Sequence, residues 1–250
     1  MHNGGMSTTA SGTSPELKPM PSRATGLRSR VRAELTTEIL ATAKHHLATQ
    51  GAAGLSLRAV ARDVGMVSSA IYRYFPSRDD LLTALIVAAY DDLADALEAG
   101  EAKAKRADIR GRWMTAGRSL RQWAIDFPHE WGLLYGTPIP GYVAPPDTIA
   151  SVLRATAVFV GILRDGLADG SISRVRAPLA AGAKRATAPL RSTFPDVSPD
   201  HLVRGFSAWV SLIGLISFEL FGHMNNVIDA PGVLFDHELS RLADDLLISP

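Results

Sequence analysis

Between Ser56 and Leu82 the chain reads Ser-Leu-Arg-Ala-Val-Ala-Arg-Asp-Val-Gly-Met-Val-Ser-Ser-Ala-Ile-Tyr-Arg-Tyr-Phe-Pro-Ser-Arg-Asp-Asp-Leu-Leu. Few arrangements satisfy that spacing. Leu57, Val60, Ala61 and Val64 recur at helical intervals and leave Arg58, Arg62 and Asp63 on other faces. Ser56 stands where an N-cap hydroxyl can accept from a free amide of the first turn. Gly65 ends the helix, because the position after a helix often requires a positive φ. Ala61 is small enough to let a second helix cross closely, and Ile71 can fill the angle between the two. Pro76 stops the second helix, Ser77 can cap a third, and Asp79 and Asp80 suit the positive end of its dipole. Two short helices on a glycine turn, fixed to a longer one, make a helix-turn-helix. An ordinary helical hairpin with a polar face is the plainer reading. It does not account for capping, turn, packing and basic residues agreeing at once.

The second helix, predicted over about residues 67–74, presents Val67, Ser68, Ser69, Tyr72 and Arg73 outward. Its N-terminal residues are short or polar, as a recognition helix requires where it meets base edges. Val67 can touch a thymine methyl, and Ser68 or Ser69 can bond to a base or a phosphate. Tyr72 and Arg73 suit phosphates, which position a protein without reading sequence. Ser56, Arg58 and Tyr74 complete this DNA-facing set, and Arg78 beside free helix amides is a candidate phosphate ligand.

The segment from about Arg30 to Ile86 resembles the DNA-binding domain of the TetR-type transcriptional regulators. The resemblance rests on the Leu-Arg-Ala-Val-Ala helix, Gly65, the run at residues 71–75 and Ser77-Arg78-Asp79-Asp80-Leu81-Leu82. Arg78 stands where such regulators usually carry a phosphate-gripping lysine. Met66-Val67-Ser68 departs from the usual Val-Ser-Pro or Val-Ser-Thr, so the early Ser or Thr cap of the recognition helix is delayed or lost. The region around Trp209 resembles the C-terminal domains of some members. Trp209 and Gly214 match, and Ile213 replaces a histidine. The resemblance implies a ligand pocket among the helices after residue 80.

Charge supports a division of labour. Residues 1–85 hold ten Lys or Arg and six Asp or Glu, whereas the remainder holds sixteen and nineteen, on a chain of net charge +1. A basic N-terminal third suits a DNA-binding part joined to a part that does not touch DNA. The absence of cysteine excludes disulfides, Cys-ligated zinc and a thiol nucleophile, and fits a cytoplasmic setting. Residues 1–26 are rich in Gly, Ser, Thr and Pro, lack the apolar core of a secretory signal, and read as a disordered tail. Arg23, Arg28, Arg30 and Arg32 follow as a basic arm that either reaches an adjacent groove or stays solvated.

The rest reads as helix after helix, so the fold class is all-α. A DNA-binding domain over 27–76 precedes a larger ligand-binding and dimerisation domain over 77–250, joined by a helix over 77–99. The first helix buries Leu35, Ile39, Ala43 and Leu47, with His45 and His46 at its surface. Further helices are expected over 109–126, from Pro128, over 148–168 with Asp147 as cap, over 198–224 and over 233–248. The proline-rich stretches after Gly136 and through 171–198 are loop and broken helix. Trp113, Leu120, Trp123, Tyr135, Phe159 and Leu163 are the candidate lining of a site for an apolar or aromatic effector, although each alone is more readily a core residue.

The run from Trp209 to His223 is apolar nearly all round. A membrane span needs about 20 such residues, and Arg204 and Glu219 lie close to its ends, so the run reads as a helix buried on every side and no membrane is expected. Its small residues favour a second subunit, with Ser207, Val210, Ser211, Gly214, Ser217 and Phe221 at a homodimer interface. No cofactor is implied. Glu219 with His223, and His129 beside Glu130, keep open a remote metal-dependent enzyme. A regulator controlled by a protein partner, and a ligand sink without DNA binding, also remain open. The favoured function is a non-enzymatic, ligand-released repressor that binds double-stranded operator DNA as a homodimer.

Overall fold

In a computed structural model, residues 1, 23–173, 179–246 and 248 are described, with the backbone alone at 23–26 and 147. Most of the expected N-terminal tail and residues 174–178 therefore lie outside the described residues. Eleven α-helices are present among the described residues: α1 Arg23–Gly54, α2 Leu57–Asp63, α3 Ser68–Ile71, α4 Arg78–Glu101, α5 Ile109–Asp126, α6 Pro128–Tyr135, α7 Ile149–Asp169, α8 Ala181–Ala186, α9 Ala188–Thr193, α10 Pro199–Leu220 and α11 Pro231–Asp245. The only β-pairing among the described residues is an isolated bridge between Ile172 and Ile248.

The chain divides into two units, Met1–Glu38 and Ile39–Pro250. The first contains the opening half of α1, where Thr36 and Thr37 bond back to the carbonyls of Arg32 and Ala33. The second holds two cores. One gathers Ile39 and Ala43 of α1 with Leu57, Val60, Ala61, Ile71, Phe75, Leu81, Leu82 and Leu85. The other joins α4, α5, α6, α7, α10 and α11 around Leu93, Leu97, Trp113, Leu120, Trp131, Ile162, Leu212 and Leu239.

Tryptophan side chains enter that second core only where their N–H groups are satisfied or tolerated. Trp113 donates to the Leu239 carbonyl at 2.9 Å, and Trp131 to the Ser217 hydroxyl at 3.1 Å. The Trp123 N–H is buried without a partner among the described residues.

Ion pairs pin the far end of α4. Arg112 of α5 is 2% exposed, and its Nε lies 2.6 Å from Glu101 at the end of α4. Its Nη2 lies 2.8 Å from Asp165 of α7. A cation this buried is tolerated because two carboxylates face it.

A helix start, a helix end and one burial differ from the sequence reading, the end being that of α10, at Leu220 rather than near residue 224. Asp147 falls in a 3-10 turn, Pro146–Thr148, so the N-cap position of α7 is Thr148, which makes no side-chain cap bond. His46 is not at the surface. It is 3% exposed, with Nε2 donating to the Asp63 carboxylate at 2.7 Å, while His45 is exposed as expected. The helix periodicity that buries Ala43 and Leu47 also turns His46 toward the end of α2. Its bond holds the Asp63 carboxyl below the ordinary carboxylate range.

Candidate nucleic-acid interface and effector cavity

The turn between α2 and α3 is built as its residues dictate. Gly65 has φ +77°, and the amide of Met66 reaches back to the carbonyl of Ala61 at 2.8 Å. That bond closes the end of α2 and brings the chain round sharply. Ala61 and Ile71 are fully buried in the angle between the helices. Ser77 accepts from the Asp80 amide at 3.1 Å and so begins α4.

The α-helical part of the second helix is four residues long, and tighter turns continue it to Tyr74. The amides of Arg73 and Tyr74 bond to residues three back, Ala70 and Ile71. Pro76 explains this, since the residue before a proline is pushed out of the helical region. Val67 occupies the N-cap position with no side chain able to cap, so the displaced cap shows as a missing one.

Val67, Ser68, Ser69, Tyr72, Arg73 and Arg58 are all exposed, with Val67 at 71% despite being apolar. Tyr74 is half-buried against the head core. A shallow depression between the starts of α2 and α3 is lined by Ser56, Arg58, Arg62, Met66, Val67 and Ser68.

Two members of the DNA-facing set differ from the sequence reading in their local bonds. Ser56 has the extended backbone of an N-cap, yet its hydroxyl makes no cap bond. Arg78 turns away from a phosphate role: Nη2 donates to the Ala52 carbonyl at 2.7 Å and Nε to the Leu55 carbonyl at 3.1 Å. The non-helical Gly51, at φ 70°, kinks α1 there and leaves carbonyls for a guanidinium to satisfy.

In the second core a cavity of about 240 Å³ opens beside α7 and α10. Val152, Leu153, Thr156, Phe159, Val160 and Leu163 of α7 form one wall. Leu202, Gly205, Phe206, Trp209 and Leu212 of α10 form another, with Trp113 at the base and Leu190 and Phe194 over the side. Of the six residues expected to line an effector site, Trp113, Phe159 and Leu163 do. Leu120 is fully buried core, Trp123 packs on Phe127, and Tyr135 packs on Trp131. These three miss because their apolar faces are covered by neighbouring helices. Val152, Thr156, Phe159 and Leu163 were readable as one face by their spacing of four, three and four.

The sequence matches the model of the bacterial regulatory proteins of the tetR family over residues 39–85. It matches a tetracyclin repressor-like C-terminal domain over residues 113–242. The HTH-type transcriptional regulator Rv1816 of Mycobacterium tuberculosis is 38% identical over 224 residues, covering 87% of this chain and 94% of that protein. The chain belongs to the TetR family. Its fold is similar to the crystal structure assigned to regulatory protein SCO4313, at a TM-score of 0.69 and 34% identity over 87% of this chain and 98% of that one. RolR, solved in complex with resorcinol, shares the fold at a TM-score of 0.51 and 16% identity, covering 88% of this chain and 96% of that one.

As a TetR-family member the protein is a helix-turn-helix transcriptional regulator and not an enzyme. The carboxylate of Glu219, set beside His223 in the enzyme alternative, is held by Arg121, with Nε 2.8 Å from Oε2. The TetR-type C-terminal half also carries an open apolar stripe. On α10, Phe206, Val210 and Phe218 are more than half exposed, and Ser207 and Phe221 lie on the same side. Gly214 and Ser211 are half-buried, whereas Ser217 faces inward to Trp131. Ser217 is half-buried as well, and its hydroxyl accepts from that indole. By length and composition α10 could cross a membrane.

Proposed function

We propose that this regulator is a ligand-released repressor that acts as a homodimer on a near-palindromic operator. A head over residues 27–76 is attached to a regulatory part over 77–250. Val67, Ser68 and Ser69 lie toward base edges, and Arg58, Tyr72 and Arg73 toward phosphates. Two recognition helices then enter successive major grooves about 34–36 Å apart.

One observation supports this most. A single helix, α10, lines the apolar cavity with Leu202, Trp209 and Leu212 and shows an uncovered stripe of Val210, Phe218 and Phe221 on its other side. A second copy covering that stripe buries surface that a soluble protein seldom leaves open. A ligand in the cavity then acts on the element that sets the spacing of the two heads. It releases DNA only if it binds the wrongly spaced conformer more tightly. RolR, which shares the fold and was solved with resorcinol, is a precedent for a small aromatic occupant.

The test is a gel-shift titration on DNA flanking the gene. A complex is expected that weakens steeply with salt and contains two protein copies. Tyr72→Ala with Arg73→Ala should abolish it while leaving the melting temperature within a few degrees. A complex untouched by the double substitution would refute the assigned face.

A further inference from the structure

We propose that the cavity beside α7 and α10 selects an uncharged ligand bearing one hydrogen-bond donor, which Thr156 receives. This rests on the reading of that cavity as the effector site and specifies its chemistry.

Among the described residues, none that lines the cavity carries an ionisable side chain. The arginines on the two wall helices are committed elsewhere. Arg154 bonds to Asp95 and Glu98, Arg164 pairs with Asp196, and Arg204 donates to the Asp245 carbonyl. A carboxylate or ammonium entering here leaves water and meets no opposite charge, a cost that apolar contact does not offset. The ligand is therefore neutral.

Among the described residues Thr156 supplies the only hydroxyl in the lining. Its Oγ1 donates to the carbonyls of Leu153 and Val152 at 3.1 and 3.2 Å. With the proton committed to its own helix, the oxygen offers lone pairs and accepts. The indole N–H of Trp113 is likewise spent, on Leu239, while Trp209, the other indole in the lining, lies against the rings of Phe159 and Tyr135. A donor on the ligand thus finds an acceptor at Thr156. The space is about 240 Å³. A single ring with a small substituent fits that space.

The test compares phenol, toluene and benzoate on the purified full-length protein, by calorimetry and by quenching of the tryptophans that wall the cavity. Phenol is expected to bind about 3- to 10-fold more tightly than toluene, as one neutral hydrogen bond allows. Benzoate is expected to bind at least tenfold more weakly than phenol. Thr156→Val keeps the side-chain shape, and should bring phenol down to the toluene value while leaving toluene unchanged. Circular dichroism confirms that the variant is folded. Benzoate binding as tightly as phenol, or phenol affinity unmoved in Thr156→Val, would overturn the proposal while leaving the effector site standing. Binding of none of the three, by protein that still shifts operator DNA, would instead remove the effector site and the proposal with it.

Discussion

The two cores of this molecule are built on different rules. The head buries Leu57, Val60, Ala61 and Ile71 from helices of seven and four residues. Helices so short have little stability of their own and depend on turns and packing. Gly65, Ser77 and Pro76 therefore occupy positions where almost no other residue serves. The regulatory half uses helices of 18 to 24 residues in α4, α5, α7 and α10. There the ends matter less, and each helix has apolar surface to distribute among core, cavity and open stripe. The head is specified by local chemistry and the regulatory half by which helix covers which.

The sharpest way to break this contrast is at Ile71. Ile71→Ala removes the wedge between the two short helices and should cost about 2–5 kcal/mol. If the head depends on packing as argued, operator affinity falls with it, and effector binding in the regulatory half does not. Replacing Arg112 by Ala removes the buried cation between Glu101 and Asp165, which are partly exposed and keep Arg106, and should lower stability by about 1.5–3 kcal/mol. A urea melt at neutral pH reads the loss. A midpoint close to wild type would show that the end of α4 is not held by this cluster.

Arg78 separates a structural from a DNA-contacting role. Its guanidinium is about one-third exposed and bonds to backbone carbonyls. Arg78→Ala should cost about 1.5–3 kcal/mol, toward the lower end given that exposure. The slope of log operator affinity against log salt should stay as in wild type. A slope shallower by about 0.9 would mean that one phosphate contact was lost, and would restore the phosphate role. Gly65→Ala meets no atom within 4 Å, so the expected loss of about 1–2 kcal/mol comes from the positive φ alone.

The smallest effect expected is alkaline and confined to the regulatory half. Burial raises the pKa of Tyr90 and of Tyr135, whose rings meet edge-on at 6.2 Å. Both folded values lie above the unfolded one near 10, so this contribution is fully present below pH 10 and is lost as pH rises beyond it. Denaturation midpoints should be flat from pH 8 to 9.5 with respect to these phenols and fall above 10. Tyr135→Phe should make the fall shallower. An equal slope in the variant would show that Tyr135 takes no part.

Much of the molecule was legible beforehand, for reasons visible in particular residues. The span of α5 from Ile109 to Asp126 and the stop of α7 at Gly170, with φ 84°, follow from caps and breakers. Val67, Ser68, Ser69 and Tyr72 emerged exposed because a four-residue helix has one inward position, taken by Ile71. Other assignments failed where periodicity leaves several faces apolar. Leu120 follows Trp113 by two helical turns on the same side of α5, yet only Trp113 reaches the cavity. Ser217, half-buried like Ser211 and Gly214, accepts from the Trp131 indole, a bond its spacing does not announce. His46 went inward because Asp63, seventeen residues on, was there to bond it.

An all-α chain, the helix-turn-helix and the residues at its outer face could be read from the order of residues. Those depend on contacts within a few residues, where capping, proline restriction and a positive φ act directly. The folded chain was needed to show that Arg78 bonds to the carbonyls of a kinked helix, that Thr156 lines a cavity, and that α10 divides its apolar surface between that cavity and an open stripe. Each of these depends on which distant element lies opposite, and helical spacing carries no information about that.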